Sequence, residues 1–251
     1  MTAWSSSTGA SLLAFDEAGQ GPAVLLVHGL AGSRRSWRAQ MPALAAQFRA
    51  IAVDIPGHGA SPAPADLTLE GAAAALVRLL DHLSVASAAV VGHSLGGVLA
   101  QQVGADHPER VWALVLVATS SQCNAAAKAH WEERARIAER QGVAAAHRGP
   151  EGAWAEVSPA VYARYARLIG GLHEAPLTPR LAAVRAPTLV VAGDQDPIGM
   201  GGPVILQRTI PGARLAAAAG AGHYVPMEQA DWFNAELLAF LGAVAPREYT
   251  A

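Results

Sequence analysis

A single cysteine, Cys123, stands in the 251-residue chain. No internal disulfide can form, which fits a reducing cytoplasm and excludes a cystine-stapled scaffold. An excess of either charge is also missing: 18 Lys and Arg against 20 Asp and Glu leave a formal net charge of -2. That balance argues against nucleic acid or an anionic membrane surface as a partner. Nowhere does the chain sustain the ~18 apolar residues of a membrane span. Its opening, MTAWSSSTGASLLAFDEAG, has neither the basic start nor the continuous apolar run of an export signal. No His, Cys, Asp or Glu cluster has metal-ligand spacing, and no G-x-G-x-x-G opens a nucleotide site. These absences lead us to expect a cytoplasmic protein without metal or cofactor, acting on a small, mostly uncharged molecule.

What is present is apolar. Hydrophobic residues make up 52% of the chain and charged ones 15%, enough to bury a substantial core. Short β-rich runs recur at 23–27 (AVLLV), 50–54 (AIAVD), 88–92 (AAVVG), 112–118 (WALVLVA) and 188–193 (TLVVAG), with a weaker one at 213–219 (ARLAAAA). Longer helical patterns separate them, including 67–83 with Thr68 as N-cap and 231–244 at the close. Continuous apolar strands alternating with helices predict an α/β fold, a mostly parallel sheet covered on both faces. From 119 to 182 no strand pattern appears, only helical pieces joined by a Gly/Pro-rich link. A segment that long predicts a helical insertion over the sheet, dividing the chain into a core at 1–118, the insertion at 119–182 and the rest of the core at 183–251.

The stretch VVGHSLGGVLA at 90–100 carries the clearest chemistry. Ser94 lies between a β-rich run and a helical one, with Gly92, Gly96 and Gly97 clearing the space a sharp turn needs. This strand, G-x-S-x-G, helix order is the nucleophile elbow, which lifts a serine hydroxyl to the carboxyl edge of a sheet. A serine needs a base and an orienting acid. His223 in GAGHYVPME, after the last strand pattern, is the best placed of nine histidines. Asp196 and Asp194, in VVAGDQDP after the preceding strand, compete for the acid.

With LLVHGLAGSRRSW, AVDIPGHGASPAP, VVGHSLGG, TLVVAGDQDP and GAGHYVPMEQADWFNAELLAFL in order, the chain resembles the α/β-hydrolase superfamily nearly end to end. It is most similar to the serine esterases, enol-lactonases and carbon-carbon bond hydrolases with a small helical cap. The resemblance implies a twisted sheet of about eight strands with the 119–182 segment as the cap. It makes Ser94 the nucleophile, His223 the general base and, by its G-x-x-D spacing, Asp196 the acid. The backbone N–H groups of Leu30 and Leu95 would form the oxyanion hole, with His28 and His93 orienting backbone nearby and His58 in a structural turn. Cleavage of a small apolar carboxylic ester or lactone without a cofactor is expected. The alternatives are hydrolysis of a vinylogous diketone and ligand sensing with very slow turnover. Trp37, Trp131, Trp154, Tyr162 and Tyr165 are candidates for an apolar substrate pocket, and Arg34 and Arg35 for meeting a substrate carboxylate.

Overall fold

The computed structural model describes residues 5–7, 13–147, 149–150 and 155–246. Eight strands form one sheet: β1 (Ser5–Ser7), β2 (Phe15–Ala18), β3 (Ala23–Val27), β4 (Arg49–Val53), β5 (Ala88–His93), β6 (Val111–Val117), β7 (Thr188–Gly193) and β8 (Arg214–Ala218). Their spatial order is β1-β2-β4-β3-β5-β6-β7-β8. β1 and β2 run antiparallel to their neighbours and every later pairing is parallel. All six expected runs are strands, displaced by no more than a residue or two at their ends. The two antiparallel strands escaped the sequence reading because β1 is three residues of serine and β2 carries half-buried Asp16 and Glu17; neither has the apolar character of a central strand.

The helices are α1 (Met41–Ala45), α2 (Leu69–His82), α3 (Leu95–Asp106), α4 (Ala125–Gln141), α5 (Val143–Ala146), α6 (Pro159–Gly170), α7 (Thr178–Leu181), α8 (Gly201–Thr209), α9 (Val225–Glu228) and α10 (Ala230–Val244). Thr68 caps α2 as its sequence predicts, its hydroxyl accepting from Gly71 N–H at 2.9 Å. Successive strand residues feed opposite faces of the sheet. Leu25, Val27 and Val90 join α2, α3 and the helices after β6 in one core, while Val24, Leu26 and Val91 join Trp37, Phe233 and Leu237 in the other.

Between β6 and β7 the described residues form α4 to α7, a 3-10 turn at Gly171–His173, and one isolated bridge from Val157 to His58. α4 and α6 lie against each other, and Ala135, Ala138, Tyr162, Tyr165 and Ile169 belong to the same core cluster as Leu25 and Val90. The helical segment therefore shares the sheet's core.

Candidate active site

β5 ends at His93 and α3 begins at Leu95, so Ser94 alone makes the turn between them. Its backbone sits at φ 52°, ψ -115°, a region that costs a non-glycine residue about 1–3 kcal/mol and persists only where the surroundings impose it. Here they do: Ser94 N–H donates to Val117 O at 2.9 Å and the Thr119 hydroxyl donates to Ser94 O at 2.7 Å. The neighbouring glycines have no room for side chains. A Cβ on Gly92 would stand 2.3 Å from Gly96 O, one on Gly96 would stand 2.1 Å from Val27 O, and one on Gly97 would stand 2.6 Å from Thr119 Cβ.

The half-buried Ser94 hydroxyl lies 3.1 Å from His223 Nε2. His223 Nδ1 lies 2.8 Å from Asp196 Oδ2. The carboxylate can only accept, so the proton sits on Nδ1 and the Nε2 lone pair faces the serine. Asp196 is buried, and its other oxygen accepts from Ile198 N–H at 2.8 Å. Asp194 does not compete: it is exposed and accepts from Gly220 N–H at 2.7 Å. The 28–31 loop runs beside the elbow, where a Cβ on Gly29 would stand 3.3 Å from Ser94 Cβ. Leu95 is the first residue of α3, so its N–H belongs to the set that a helix cannot satisfy internally.

Two groups steady the histidine: His93, expected to orient backbone nearby, and Glu228, which had no signal in the sequence. His93 Nε2 lies 2.9 Å from the His223 carbonyl. Glu228 accepts from Gly222 N–H at 2.6 Å and from Tyr224 N–H at 2.9 Å, gripping the amides on either side of His223. Glu228 stands five residues beyond His223 in an ordinary helical turn, and only the folded loop brings it back. Beside the site, the Tyr224 ring lies edge-on to His223 and tilted to His93, with centroids 5.2 and 5.4 Å away, and its hydroxyl meets His147 Nε2 of the helical segment at 3.1 Å.

The expected pocket aromatics are placed differently. Trp37 is buried against Phe233 and lines a void of about 10 Å³, too small for a substrate. Tyr162 and Tyr165 are fully buried where α6 meets the core. The Tyr165 hydroxyl donates to Pro56 O at 3.2 Å, and burial raises the pKa of that phenol. Trp131 is half-buried on α4, near Gly170 and His130. The Tyr162 and Tyr165 rings join the helical segment to the core of the sheet. Trp154 lies outside the described residues.

Arg34 and Arg35 are not held ready for a substrate. Arg34 pairs with Asp16 and with the buried Asp54; burial lowers its pKa, but the two carboxylates more than offset that and raise it. Arg35 pairs with Glu156. Cys123 lies with its thiol toward the carbonyls of Ile169 and Gly170, and burial, then Glu174, pushes its pKa up, away from nucleophilic use. Among the described residues no group of His, Cys, Asp and Glu is arranged to hold a metal ion, and no helix is long and apolar enough to cross a membrane.

Comparisons with known proteins bear on the family and the fold. The sequence profile of the alpha/beta hydrolase fold matches residues 22–138. The putative carbamate hydrolase RutD of Klebsiella pneumoniae (strain 342) is 31% identical over 255 residues, covering 90% of this chain and 93% of that protein. The dihydrolipoyllysine-residue acetyltransferase component of the acetoin cleaving system of Pseudomonas putida is 31% identical over 243 residues, 88% of this chain; the chain spans only 64% of that relative's length. Among solved structures, the enol-lactonase from Burkholderia xenovorans LB400 superposes with a TM-score of 0.85 at 25% identity, covering 95% of this chain and all of that one, 100%. With the eight-stranded sheet, the elbow and near full-length relatives in agreement, the chain belongs to the α/β-hydrolase fold family.

Proposed function

We propose that this chain is a serine hydrolase that cleaves a small, largely apolar carboxylic ester or lactone through an acyl-enzyme. The observation that carries the reading is the unbroken relay Asp196 Oδ2, His223 Nδ1, His223 Nε2, Ser94 Oγ, with separations of 2.8 and 3.1 Å, built on a strained turn. In the first step Ser94 Oγ attacks the carbonyl carbon and His223 Nε2 takes its proton. The carbonyl oxygen becomes an oxyanion facing the Leu30 and Leu95 amides, each such donor being worth about 10²- to 10³-fold in rate. The leaving alcohol departs with the proton from His223. Water, deprotonated by the same nitrogen, then attacks the acyl carbon; the bond to Ser94 Oγ breaks, Oγ takes the proton back from His223, and the acid leaves. Asp196 holds the ring in the needed tautomer throughout and stabilises the imidazolium.

The charge placement supports an apolar substrate. Two arginines of the helical segment that could meet a polar substrate are occupied: Arg164 Nε donates to Leu67 O at 2.9 Å and Arg167 pairs with Glu132 and Glu139. His173 Nδ1 lies 3.2 Å from Cys123 O. Among the described residues that leaves little to bind the charged end of a vinylogous diketone. A carbamate presents the same acyl carbon, and the relative named for carbamate hydrolysis makes it the competing substrate class. The segment between β6 and β7 acts as the cap, and the lone half-buried Cys123 supports a reducing, cytoplasmic setting. Turnover of p-nitrophenyl acetate and butyrate, a γ-lactone and an aryl carbamate should be compared on the wild type and Ser94→Ala. Faster ester or lactone turnover, lost in the variant, supports the reading; carbamate preference would move the substrate class, and turnover surviving in Ser94→Ala would overturn it.

A further inference from the structure

The 28–31 loop that carries the proposed Leu30 oxyanion donor is held by two buried imidazoles, one on each side of that residue. The carbonyl of Gly29 accepts from Gly32 N–H at 3.0 Å, and His28 Nδ1 lies 2.7 Å from it. His28 Nε2 accepts from Ile55 N–H at 3.1 Å, which leaves Nδ1 as the protonated nitrogen and so the donor to Gly29. A peptide unit is planar and trans, so fixing the Gly29 carbonyl also fixes the direction of the Leu30 N–H, which points the opposite way. The next peptide is pinned as well, because Ala31 N–H donates to His58 Nε2 at 3.3 Å. Ala31 stands at φ 65°, a left-handed backbone that a residue with a Cβ adopts at a cost of about 1–2 kcal/mol. Without an outside restraint at Ala31 the turn would relax.

His58 supplies that restraint from a loop that the helical segment grips. It is fully buried, with Nδ1 facing Pro56 O at 3.5 Å and its ring 5.2 Å from His28 and 5.5 Å from Tyr165. Burial, and then His28, hold its pKa well below the ordinary histidine range, so Nε2 keeps its lone pair for Ala31. Tyr165 of α6 donates to the same Pro56 carbonyl, His58 pairs with Val157 as a β-bridge, and Gly59 N–H donates to Glu156 O at 2.7 Å. Residues 56–59 are thus clamped between the oxyanion loop and the segment after β6.

We propose that His58 is a positioning residue of the oxyanion hole, and that the helical segment sets its place through Tyr165 and Val157, so that this segment tunes the chemical step as well as covering the site. The inference rests on the serine-hydrolase reading above. In His58→Gln the amide oxygen can reach the Nε2 position and accept from Ala31, whereas His58→Leu fills similar space with no acceptor.

The experiment measures kcat and KM for p-nitrophenyl butyrate, inhibition by an aryl trifluoromethyl ketone, whose serine adduct carries an oxyanion, and circular dichroism on wild type, His58→Leu, His58→Gln and Tyr165→Phe. We expect His58→Leu to lower kcat by about 10- to 100-fold, within the range of a lost oxyanion donor. KM should hold within about twofold, inhibitor affinity should fall in step with kcat, and His58→Gln should recover most of both losses. Tyr165→Phe should lower kcat several-fold and add nothing in a His58→Leu background, because both act through one contact. Equal kcat for the wild type and both His58 variants would overturn the inference. Should His58→Leu fail to fold, a Tyr165→Phe variant with unchanged kcat and inhibitor affinity would overturn it. Wild-type inactivity toward every ester and lactone tested would defeat the hydrolase reading, a result distinct from active wild type with indifferent His58 variants.

Discussion

The carboxyl edge of the sheet and the helical segment above it hold their residues in place by different means. At the edge, position is set by backbone: Ser94 turns at φ 52° because glycines on either side let α3 approach β3 and β5 to contacts that no Cβ would survive. In the helical segment, position is set by side chains. Tyr162 and Tyr165 fill the seam with the core, Arg167 ties α6 to Glu132 and Glu139 of α4, and Lys128 pairs with Glu174. Backbone constraints are stiff and tolerate no substitution, whereas side-chain seams can be repacked. On the proposed function, chemistry would belong to the edge, and tuning to the segment whose contacts can change without breaking the turn.

The comparison breaks most directly at Ser94. Ser94→Ala should lose roughly 10⁶-fold in kcat while keeping its melting temperature; circular dichroism and ester turnover on one preparation check both. Asp196→Asn should lose about 10⁴-fold, because the amide can present a donor to Nδ1 and favour the wrong tautomer. Gly97→Val separates the two regions by stability: its side chain would meet Thr119 at the elbow, and we expect a loss of soluble, folded protein that no other substrate rescues.

Smaller effects test the tuning region. His58 is buried and neutral in the fold, with its pKa lowered well below the ordinary value of about 6.5. Below that value the unfolded chain binds a proton that the folded one does not, so stability falls as pH drops, by up to about 1.4 kcal/mol per pH unit for one such group. His58→Gln should flatten that acid limb in urea melts between pH 4 and 6.5; an unchanged slope would mean that other groups cause it. Arg167→Ala should produce the smallest change, a slight drop in melting temperature that shrinks in 0.5 M salt, because the Arg167 pairs are exposed.

How much of this was legible in the sequence follows the same division. The β5, Ser94, α3 unit could be read because an apolar run, a serine between glycines and a second apolar run follow one another without interruption. Asp196 and His223 could be read because each lies just past a strand, where the fold gathers its ends. The residues that position them could not. Glu228 reaches back to the amides around His223, Thr119 holds the Ser94 carbonyl, and Tyr165 meets Pro56 across 109 positions of chain. Hydroxyls, carboxylates and tyrosines are common, and nothing local marks which of them folds back onto a site. An aromatic that lines a cavity and one that fills a seam look alike in sequence, and Tyr162, Tyr165 and Trp37 lie buried in the two cores.

The central claim is that Ser94 is an activated nucleophile. It is tested most directly by intact-mass spectrometry after exposure to a fluorophosphonate, on wild type, Ser94→Ala and His223→Ala, with peptide mapping of the labelled residue. One adduct per wild-type chain is expected, mapped to Ser94, with none on Ser94→Ala and far slower labelling of His223→Ala. No adduct on the folded wild type, or an adduct that persists in Ser94→Ala, would contradict it.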